Sequence, residues 1–354
     1  MNLREKSIRI IKDNQASTGA YVASPNFPTY SYSWLRDGSF IAYGMLVEGE
    51  RESAKAFLNW VHETLMKHQG KIQAILLGLQ EGKTFAPEEL LPTRYTMDGE
   101  IEEDDWPNFQ IDGYGAWLWL LAEYIAATGD EYLLVQFQES VRMTIDYIAL
   151  LWDKPNYDCW EEFGDRVHGS TLACLYGGIN SINRYLGEVE LLRLAADIKT
   201  YVIDNLVSAG HFMKNNQDDN VDASLLWLAY PFEVFSVNDE RMKRTIAKIE
   251  EDLLDEGGVK RYLADTYYGG GQWLILSSWL GIVNMKQGKA EKAKAILEWV
   301  EAQAGDIGMP EQVSNIVNDP SYVTPWVEKW GPIADPLIWS HGMHLTFLNE
   351  IEEI

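Results

Sequence analysis

The stretch "IDGYGAWLWLLAEYIAATGDEYLLVQFQESVRMTIDYIALLWD" (residues 111–153) contains two apolar runs with helical spacing, separated by a tight turn. The turn "ATGDEY" (127–132) offers Gly129 to end one helix and acidic residues to begin the next. We therefore predict helices at 111–128 and 131–153 that pack as a hairpin.

The same hairpin pattern recurs along the chain, with the turns "LGEVE" (186–190) and "KQGKAE" (286–291) between other apolar runs. Together these runs predict an all-α fold of about twelve helices. The predicted helices are 3–14, 37–48, 51–68, 111–128, 131–153, 169–184, 187–207, 222–229, 239–254, 271–286, 289–304 and 336–351. Strand-like alternation is confined to short pieces such as "KIQAILLG" (71–78) and "AGHFMKNN" (209–216). No linker-like segment interrupts the pattern, so we expect a single domain over residues 1–354.

Charge and cysteine content exclude several classes of function. The 354 residues include 29 Lys and Arg against 54 Asp and Glu, and a net charge of −25 repels nucleic acids and anionic membrane surfaces. The start "MNLREKSIRIIKDNQ" lacks the apolar core of a signal peptide, and only two cysteines are present. We expect a cytoplasmic protein without a zinc site, and the sequence predicts nothing about its oligomeric state.

The chain is rich in aromatic residues, with 14 Trp and 18 Tyr. Their flat apolar faces and polar edges match sugar rings, although a large helical core also uses such side chains. Four long connections, 69–105, 154–168, 255–270 and 305–335, carry many of the aromatic and acidic residues. If the helix pairs form a closed ring, these loops can gather at one end of it and line a site.

Two acidic motifs in these connections are candidates for catalysis. In "DCWEEF" (158–163), Glu161 and Glu162 lie between Trp160 and Phe163, where burial and like-charge repulsion would raise the pKa of one carboxyl. A carboxyl protonated near neutral pH suits a general acid, but a solvated turn is the alternative. In "GMPEQ" (308–312), Glu311 is either a general base or a loop glutamate that accepts backbone hydrogen bonds.

A pair of carboxyl groups on opposite sides of a sugar is the machinery of glycoside hydrolysis. A separation of ~6.5–9.5 Å is typical of inverting enzymes, and ~5–5.5 Å of retaining ones.

Three further stretches hold candidate binding residues. In "SYSWLRDGSF" (31–40), Arg36 and Asp37 form either a buried ion pair or a clamp for a polar ligand. In "QIDGYGAWLW" (110–119), Gln110 and Asp112 begin a helix, where Asp112 has the alternative role of an N-cap. The stretch "VKRYLADTYYGGGQW" (259–273) contributes Arg261, Tyr267 and Trp273 beside glycines that permit close approach of a ligand. It lacks the lysine and the glycine spacing of a nucleotide-binding loop.

Taken together and in this order, the motifs resemble family 15 of the glycoside hydrolases. The matching pieces are a YxxxWxRD signature at Tyr30, Trp34, Arg36 and Asp37, and then "PNFQIDGYG", "DCWEE", "DASLLWLA", "RYLADTYYGGGQW", "PEQ" and "PLIWSHGM". They span nearly the whole chain.

The resemblance implies a ring of six helix pairs, an (α/α)6 barrel, and inverting exo-hydrolysis of α-glucosides that releases β-glucose from a non-reducing end. It implies that Glu161 is the general acid, Glu311 the general base, and Glu162 a sugar contact. Substrate-binding residues implied around them are Tyr30, Trp34, Arg36, Asp37, Gln110, Asp112, Trp160, Arg261, Tyr267 and Trp273. No metal and no organic cofactor is required.

The sequence also departs from many family members. It shows neither an N-terminal β-sandwich domain nor a starch-binding module, so we expect small oligosaccharides such as isomaltose or panose as substrates. Alternatives are a trehalase, an inverting disaccharide phosphorylase on the same barrel, and a sugar-binding protein without turnover.

Overall fold

A computed structural model describes residues 2–352. The helices are, in chain order, α1 (Leu3–Asp13), α2 (Leu35–Val47), α3 (Arg51–Lys67), α4 (Gln69–Gln80), α5 (Asp112–Thr128), α6 (Tyr132–Gln136), α7 (Gln138–Leu151), α8 (Gly169–Leu186), α9 (Val189–Asn205), α10 (Glu240–Asp252), α11 (Leu274–Lys286), α12 (Ala290–Ala302), α13 (Val323–Trp330) and α14 (Ile338–Glu352). A 3-10 helix spans Ala223–Leu228, and four three-residue 3-10 turns span Pro28–Tyr30, Pro87–Glu89, Tyr267–Gly269 and Pro320–Tyr322.

Six of these elements form a closed inner ring. In order around the ring they are α2, α5, α8, the 3-10 helix at Ala223–Leu228, α11 and α14, and α14 packs back against α2. An outer layer packs on this ring and consists of α1, α3, α7, α9, α10 and α12. The (α/α)6 architecture predicted from the sequence is therefore confirmed.

Glycines allow neighbouring helices of the inner ring to touch through their backbones. A Cβ atom on Gly178 in α8 would lie 2.3 Å from the carbonyl oxygen of Gly115 in α5, and one on Gly44 in α2 would lie 2.4 Å from that of Gly342 in α14. Larger residues at these positions would push the helices apart. The ring can close because these side chains are absent.

The axis of the ring is filled by aromatic side chains. The ring of Phe40 lies 5.4 Å from that of Trp227 and 5.3 Å from that of Trp339, and the rings of Trp227 and Trp279 are 4.9 Å apart. These side chains are at most 3% exposed. They belong to a hydrophobic core that is continuous around the ring.

Short strands support the loops at one end of the ring. They are β1 (Ser33–Trp34), β2 (Arg94–Tyr95), β3 (Val207–Ser208), β4 (His211–Phe212), β5 (Leu254–Asp255), β6 (Gly258–Lys260), β7 (Gln272–Trp273) and β8 (Gln312–Val313). All pairings are antiparallel: β1 with β2, β3 with β4, and β5 to β8 as one four-stranded sheet. The strand-like stretch 209–216 does contain β4, which confirms that prediction.

Four predictions of local structure were wrong. The stretch "KIQAILLG" belongs to helix α4 because Ile72, Ile75 and Leu76 recur at helical spacing and are buried together. The predicted helix 131–153 is interrupted at Phe137, between α6 and α7. The predicted helix 222–229 is a 3-10 helix, and the predicted connection 305–335 contains α13.

Within the described range 2–352, no helix is both long enough and apolar enough to cross a membrane.

Candidate active site

A cavity of about 690 Å3 opens at the end of the ring where the inner helices begin. Most of its lining residues lie in segments that immediately precede α2, α5, α8, α11 and α14. The long connections predicted to gather at one end therefore do so. Eleven of the predicted site residues line the cavity: Tyr30, Trp34, Arg36, Asp37, Trp160, Glu161, Glu162, Arg261, Tyr267, Trp273 and Glu311.

Arg36 and Asp37 form a buried ion pair, and both also line the cavity. The Arg36 Nε atom lies 3.1 Å from Asp37 Oδ1. Behind it, Arg36 Nη1 donates to Gln110 Oε1 at 2.9 Å and to Asp112 Oδ2 at 3.1 Å. Gln110 and Asp112 do not line the cavity but hold the guanidinium in place. Burial raises the pKa of Asp37 to about 6.

Asp112 is the first residue of α5 and not its N-cap, which is Ile111. Its Oδ1 atom accepts the backbone N–H of Gly113 at 2.7 Å, while Oδ2 accepts from Arg36. A single buried carboxylate thus ties the start of α5 to the start of α2.

The turn that carries Glu161 and Glu162 is built around Asp158. The Asp158 Oδ1 atom accepts the backbone N–H groups of Trp160 and Glu162, each at 2.9 Å. Glu161 adopts a left-handed backbone conformation with φ of 69°, and Phe163 does so with φ of 53°. Such conformations are costly for non-glycine residues and persist only when their surroundings enforce them.

A buried lysine lies beneath this turn. Lys214 is 3% exposed, and its Nζ atom lies 3.0 Å from Asp222 Oδ2 and 3.8 Å from Asp158 Oδ2. It also lies 3.1 Å from the centre of the Tyr262 ring, as in a cation–π contact. Asp222 in turn accepts the indole N–H of Trp160 at 3.0 Å. Lys214 could not be predicted as a site residue from the sequence, because its role depends on contacts with residues distant in the chain.

Glu161 is half-buried, and its carboxyl receives an indole hydrogen bond. The Trp34 Nε1 atom donates to Glu161 Oε1 at 2.6 Å. Burial raises the pKa of Glu161, while the charge of Arg36 and the hydrogen bond from Trp34 act in the opposite direction.

Glu162 points to a second arginine. Arg261 Nη2 lies 3.3 Å from Glu162 Oε1, and Tyr262 donates its hydroxyl to Glu162 Oε2. Arg261 is held from behind by Asp265, with Nε to Oδ2 at 2.8 Å. Burial raises the pKa of Glu162, so both carboxyls of the adjacent pair, and not one alone, are shifted upward.

Glu311 lines the same cavity as this turn and is 2% exposed. The Tyr30 hydroxyl donates to Glu311 Oε1 at 2.9 Å, and the Tyr30 and Tyr267 hydroxyls are 3.0 Å apart. Burial raises the pKa of Glu311 to about 7. Among the residues that the structure describes, nothing bonds to Glu311 Oε2, so this buried oxygen is left with its capacity to accept a hydrogen bond unused.

Trp34 and Tyr30 connect the two glutamates. The ring of Trp34, which bonds Glu161, meets the ring of Tyr30, which bonds Glu311, edge to face at 5.7 Å. The carboxyls of Glu161 and Glu311 therefore line the same cavity and are bridged by two aromatic side chains.

One group of lining residues was missed by sequence reasoning. The guanidinium of Arg94 lies between the rings of Tyr32, at 4.0 Å, and Trp106, at 4.1 Å, and forms an ion pair with Asp104. The sequence predicts that the aromatic and acidic stretch before α5 can line a site, but it predicts none of these residues individually. The one tryptophan of this stretch, Trp106, was the available signal for an aromatic wall.

A second missed group lies on α13, at another part of the cavity wall. Lys329 places its ammonium 4.9 Å from the ring centres of both Trp326 and Trp330, and all three line the cavity. Lys329 and Trp330 follow Trp326 by three and four residues. A predicted helix in this segment would therefore have placed all three side chains on one face.

Across residues 2–352, no group of three or more His, Cys, Asp or Glu side chains is arranged to hold a metal ion.

Comparison with known proteins places the chain among glycosidases. Residues 4–327 match the family described as glycosyl hydrolases family 15. An isomaltose glucohydrolase of Kribbella flavida is 37% identical over 99% of this chain and 92% of its own length. A solved wild-type glycosidase is 36% identical with a TM-score of 0.95, covering 99% of this chain and 96% of that one. Trehalase 1 of Sulfolobus acidocaldarius is 24% identical over 78% of this chain, which spans half of that trehalase.

Proposed function

Because the chain belongs to glycosyl hydrolases family 15 and is a glycoside hydrolase, we propose that it releases β-glucose from short α-1,6-linked gluco-oligosaccharides with inversion of configuration. The observation that carries this proposal is the pair of carboxyls, those of half-buried Glu161 and buried Glu311, in one cavity of about 690 Å3. Cavities of ~300–1,000 Å3 are typical of sites for small ligands.

In this proposal, Glu161 protonates the glycosidic oxygen while Glu311 removes a proton from the attacking water. The transition state has oxocarbenium character, as in other glycosidases with two carboxyls. Both pKa values are raised, so the shifts alone fit either assignment of acid and base. The assignment rests on the motif order of the family and on the unpartnered Oε2 atom of Glu311, which can accept a proton from water.

The proposed clamp on the terminal glucose consists of Arg36 and Asp37. An arginine fork and a carboxylate suit neighbouring hydroxyl groups. Gln110 and Asp112 act behind the clamp by fixing the Arg36 guanidinium. Glu162 and Arg261 offer further polar contacts to the sugar, while Trp160, Tyr267 and Trp273 supply the walls.

The preference for isomaltose-type linkages is supported by the 37% identical relative, whose name is isomaltose glucohydrolase. We expect isomaltose and panose to be hydrolysed faster than maltose, trehalose or dextran. Release of glucose from each, followed by proton NMR of the first product, tests this. Fast release from trehalose alone would favour the trehalase alternative, and an α-glucose product would contradict inversion.

A phosphorylase on the same barrel would need phosphate in place of water, and Glu311 would have no proton to accept. Assays with and without phosphate distinguish the two reactions. A sugar-binding protein without turnover would bind isomaltose and leave it intact.

The substitution Tyr30→Phe is expected to move the acid limb of the pH profile to higher pH. A general base must be ionised, so activity is lost as the pH falls through the pKa of Glu311, about 7. The Tyr30 hydroxyl favours the ionised carboxylate and lowers that pKa, so its removal raises the pKa further. The measurement is kcat/KM for isomaltose against pH.

A control for Tyr30→Phe is Tyr268→Phe. The Tyr268 hydroxyl donates to the carbonyl of Gly331 at 2.8 Å and does not bond Glu311. Its removal should leave the acid limb where it is. An unshifted limb in Tyr30→Phe would show that this limb does not report Glu311.

We also propose that residues 1–354 act as one catalytic domain in the cytoplasm, with a small oligosaccharide as the partner and no nucleic acid. The cysteines Cys159 and Cys174 are buried and unpaired, in keeping with a reducing compartment. Detection of the activity in the cytosolic fraction of the source cells, and not outside them, tests the location.

A further inference from the structure

A chain of hydrogen bonds connects the loop before Glu311 with the protein surface. The backbone N–H of Met309 donates to His341 Nε2 at 3.0 Å, and His341 Nδ1 lies 2.9 Å from Ser7 Oγ. The same Ser7 Oγ atom lies 3.1 Å from His344 Nδ1, and His344 Nε2 lies 3.1 Å from Glu301 Oε1. The chain thus joins α1, α12 and α14 to the loop.

The backbone donor at one end fixes the tautomer of His341 and so gives one consistent placement of the other protons in this series of hydrogen bonds. A peptide N–H can only donate, so His341 Nε2 accepts and its proton sits on Nδ1. His341 Nδ1–H then donates to Ser7 Oγ, whose own proton is directed to His344 Nδ1. His344 Nε2–H donates to the carboxylate of Glu301. Each donor in this series of hydrogen bonds thus has an acceptor.

Burial keeps His341 neutral and able to accept. Ser7, His341 and His344 are each 0% exposed. Burial lowers the pKa of His341 to about 3, and the nearby His344 and Lys6 act in the same direction. The imidazole therefore remains an acceptor for Met309 at any pH near neutrality.

The loop at 308–311 lies directly against α14 and the segment before it. The carbonyl of Met309 accepts the N–H of Leu337 at 2.9 Å, and the carbonyl of Pro310 accepts the hydroxyl of Ser340 at 2.9 Å. A Cβ atom on Gly308 would lie 2.8 Å from His341 Nε2, so the backbone packs tightly on the imidazole. Small movements of His341 would therefore be passed to the loop.

Helix α1 also holds the beginning of the same loop. Lys6, next to Ser7, donates its ammonium to the carbonyls of Gly305 at 2.7 Å and Asp306 at 3.0 Å. Two adjacent residues of α1 thus hold the loop at 305–309, within a few residues of Glu311. None of these groups lines the cavity, so they act on a sugar only through the loop.

We propose that Ser7 and His341 are positioning residues for Glu311, setting the place of its carboxyl through the loop at 308–311. The inference rests on the proposed function, in which Glu311 activates the attacking water. A shift of about 1 Å in a reacting group lowers turnover by ~10²-fold. The clamp at Arg36 and Asp37 lies on α2, so sugar binding is left unchanged.

The test compares His341→Leu with His341→Gln. Leucine removes the acceptor for the Met309 N–H, whereas the amide oxygen of glutamine can replace it. We expect His341→Leu to lower kcat for isomaltose by roughly 10-fold or more, with KM changed less than about 2-fold. His341→Gln should recover most of the lost kcat.

Ser7→Ala and Thr346→Val complete the set. Ser7→Ala removes the hydrogen bonds between His341 and His344 but leaves His341 Nε2 as the acceptor for Met309. It should therefore lower kcat less than His341→Leu does, again with KM nearly unchanged. Thr346 is a buried α14 residue whose hydroxyl donates to the carbonyl of Gly342 at 3.0 Å, away from the loop. Thr346→Val should lower the melting temperature without lowering kcat.

Wild-type kcat in folded Ser7→Ala and His341→Leu would overturn the positioning proposal, as would an equal loss of kcat in Thr346→Val. If His341→Leu does not fold, the comparison of Ser7→Ala with Thr346→Val decides. A parallel assay of Glu311→Gln distinguishes a failure of the positioning proposal from a failure of the proposed function. Full activity in Glu311→Gln overturns the role of Glu311 and the positioning proposal together, whereas an inactive Glu311→Gln beside a fully active His341→Leu overturns positioning alone.

Discussion

Replacement of Glu161 with glutamine is expected to lower kcat for isomaltose by about 10²- to 10⁴-fold. The amide keeps the size of the side chain and the hydrogen bond from Trp34, but it has no proton to give to the departing sugar oxygen. Glucose binding and the melting temperature should remain close to those of the parent protein. The loss is measured by steady-state assay of glucose release.

A substrate with a better leaving group distinguishes the loss of a general acid from a general loss of activity. Fluoride departs with little need for protonation, so α-glucosyl fluoride should be hydrolysed by Glu161→Gln at a rate far closer to that of the parent. Glu233→Gln is a matched control, because Glu233 is exposed, lies outside the cavity, and also has a positive φ of 50°. An equal loss with both substrates would show that Glu161 is not the acid.

Replacement of Glu311 with glutamine is expected to lower kcat by a similar factor, about 10²- to 10⁴-fold, for every leaving group. Glutamine still accepts the hydroxyl of Tyr30, but it cannot take a proton from water. Departure of fluoride does not relieve that defect, so α-glucosyl fluoride and isomaltose should lose turnover together. Parallel assays of the two substrates measure this.

The two variants therefore give opposite patterns with α-glucosyl fluoride. Rescue of Glu311→Gln, combined with no rescue of Glu161→Gln, would reverse the assignment of acid and base. Near-normal turnover of isomaltose in either variant would remove that residue from the mechanism.

Helical spacing made most of the barrel predictable from the sequence. The hairpin at residues 111–153 has apolar residues at the right intervals and a glycine at its turn, and α5 ends where the sequence predicts. Helix α4 was not predicted because residues 71–74 alternate polar and apolar side chains as a strand does, although its buried residues recur at helical spacing. Helix α13 was not predicted because its aromatic residues face the cavity and none of them is fully buried in the core.

Local motifs made the principal site residues predictable, but not the contacts that hold them. Glu161 and Glu311 stand in recognisable sequence patterns, and both line the cavity. Lys214 lies in a segment with no such pattern, and the motif "PLIWSHGM" (336–343) gives no sign of what His341 contacts, because the partners of both residues are distant in the chain. A contact between α1 and α14, more than three hundred residues apart, is set by ring closure and not by local sequence.

The aromatic side chains along the barrel axis reach the cavity at Trp339, which lines it and whose ring lies 5.3 Å from that of Phe40. We therefore expect these side chains to close the inner end of the cavity, so that substrate and products pass through the same opening. The remainder of the sugar chain, which lies nearest that opening, has to depart before the freed glucose can follow it. Each binding event thus leads to a single hydrolysis step. Both products have to dissociate before the shortened oligosaccharide can bind again.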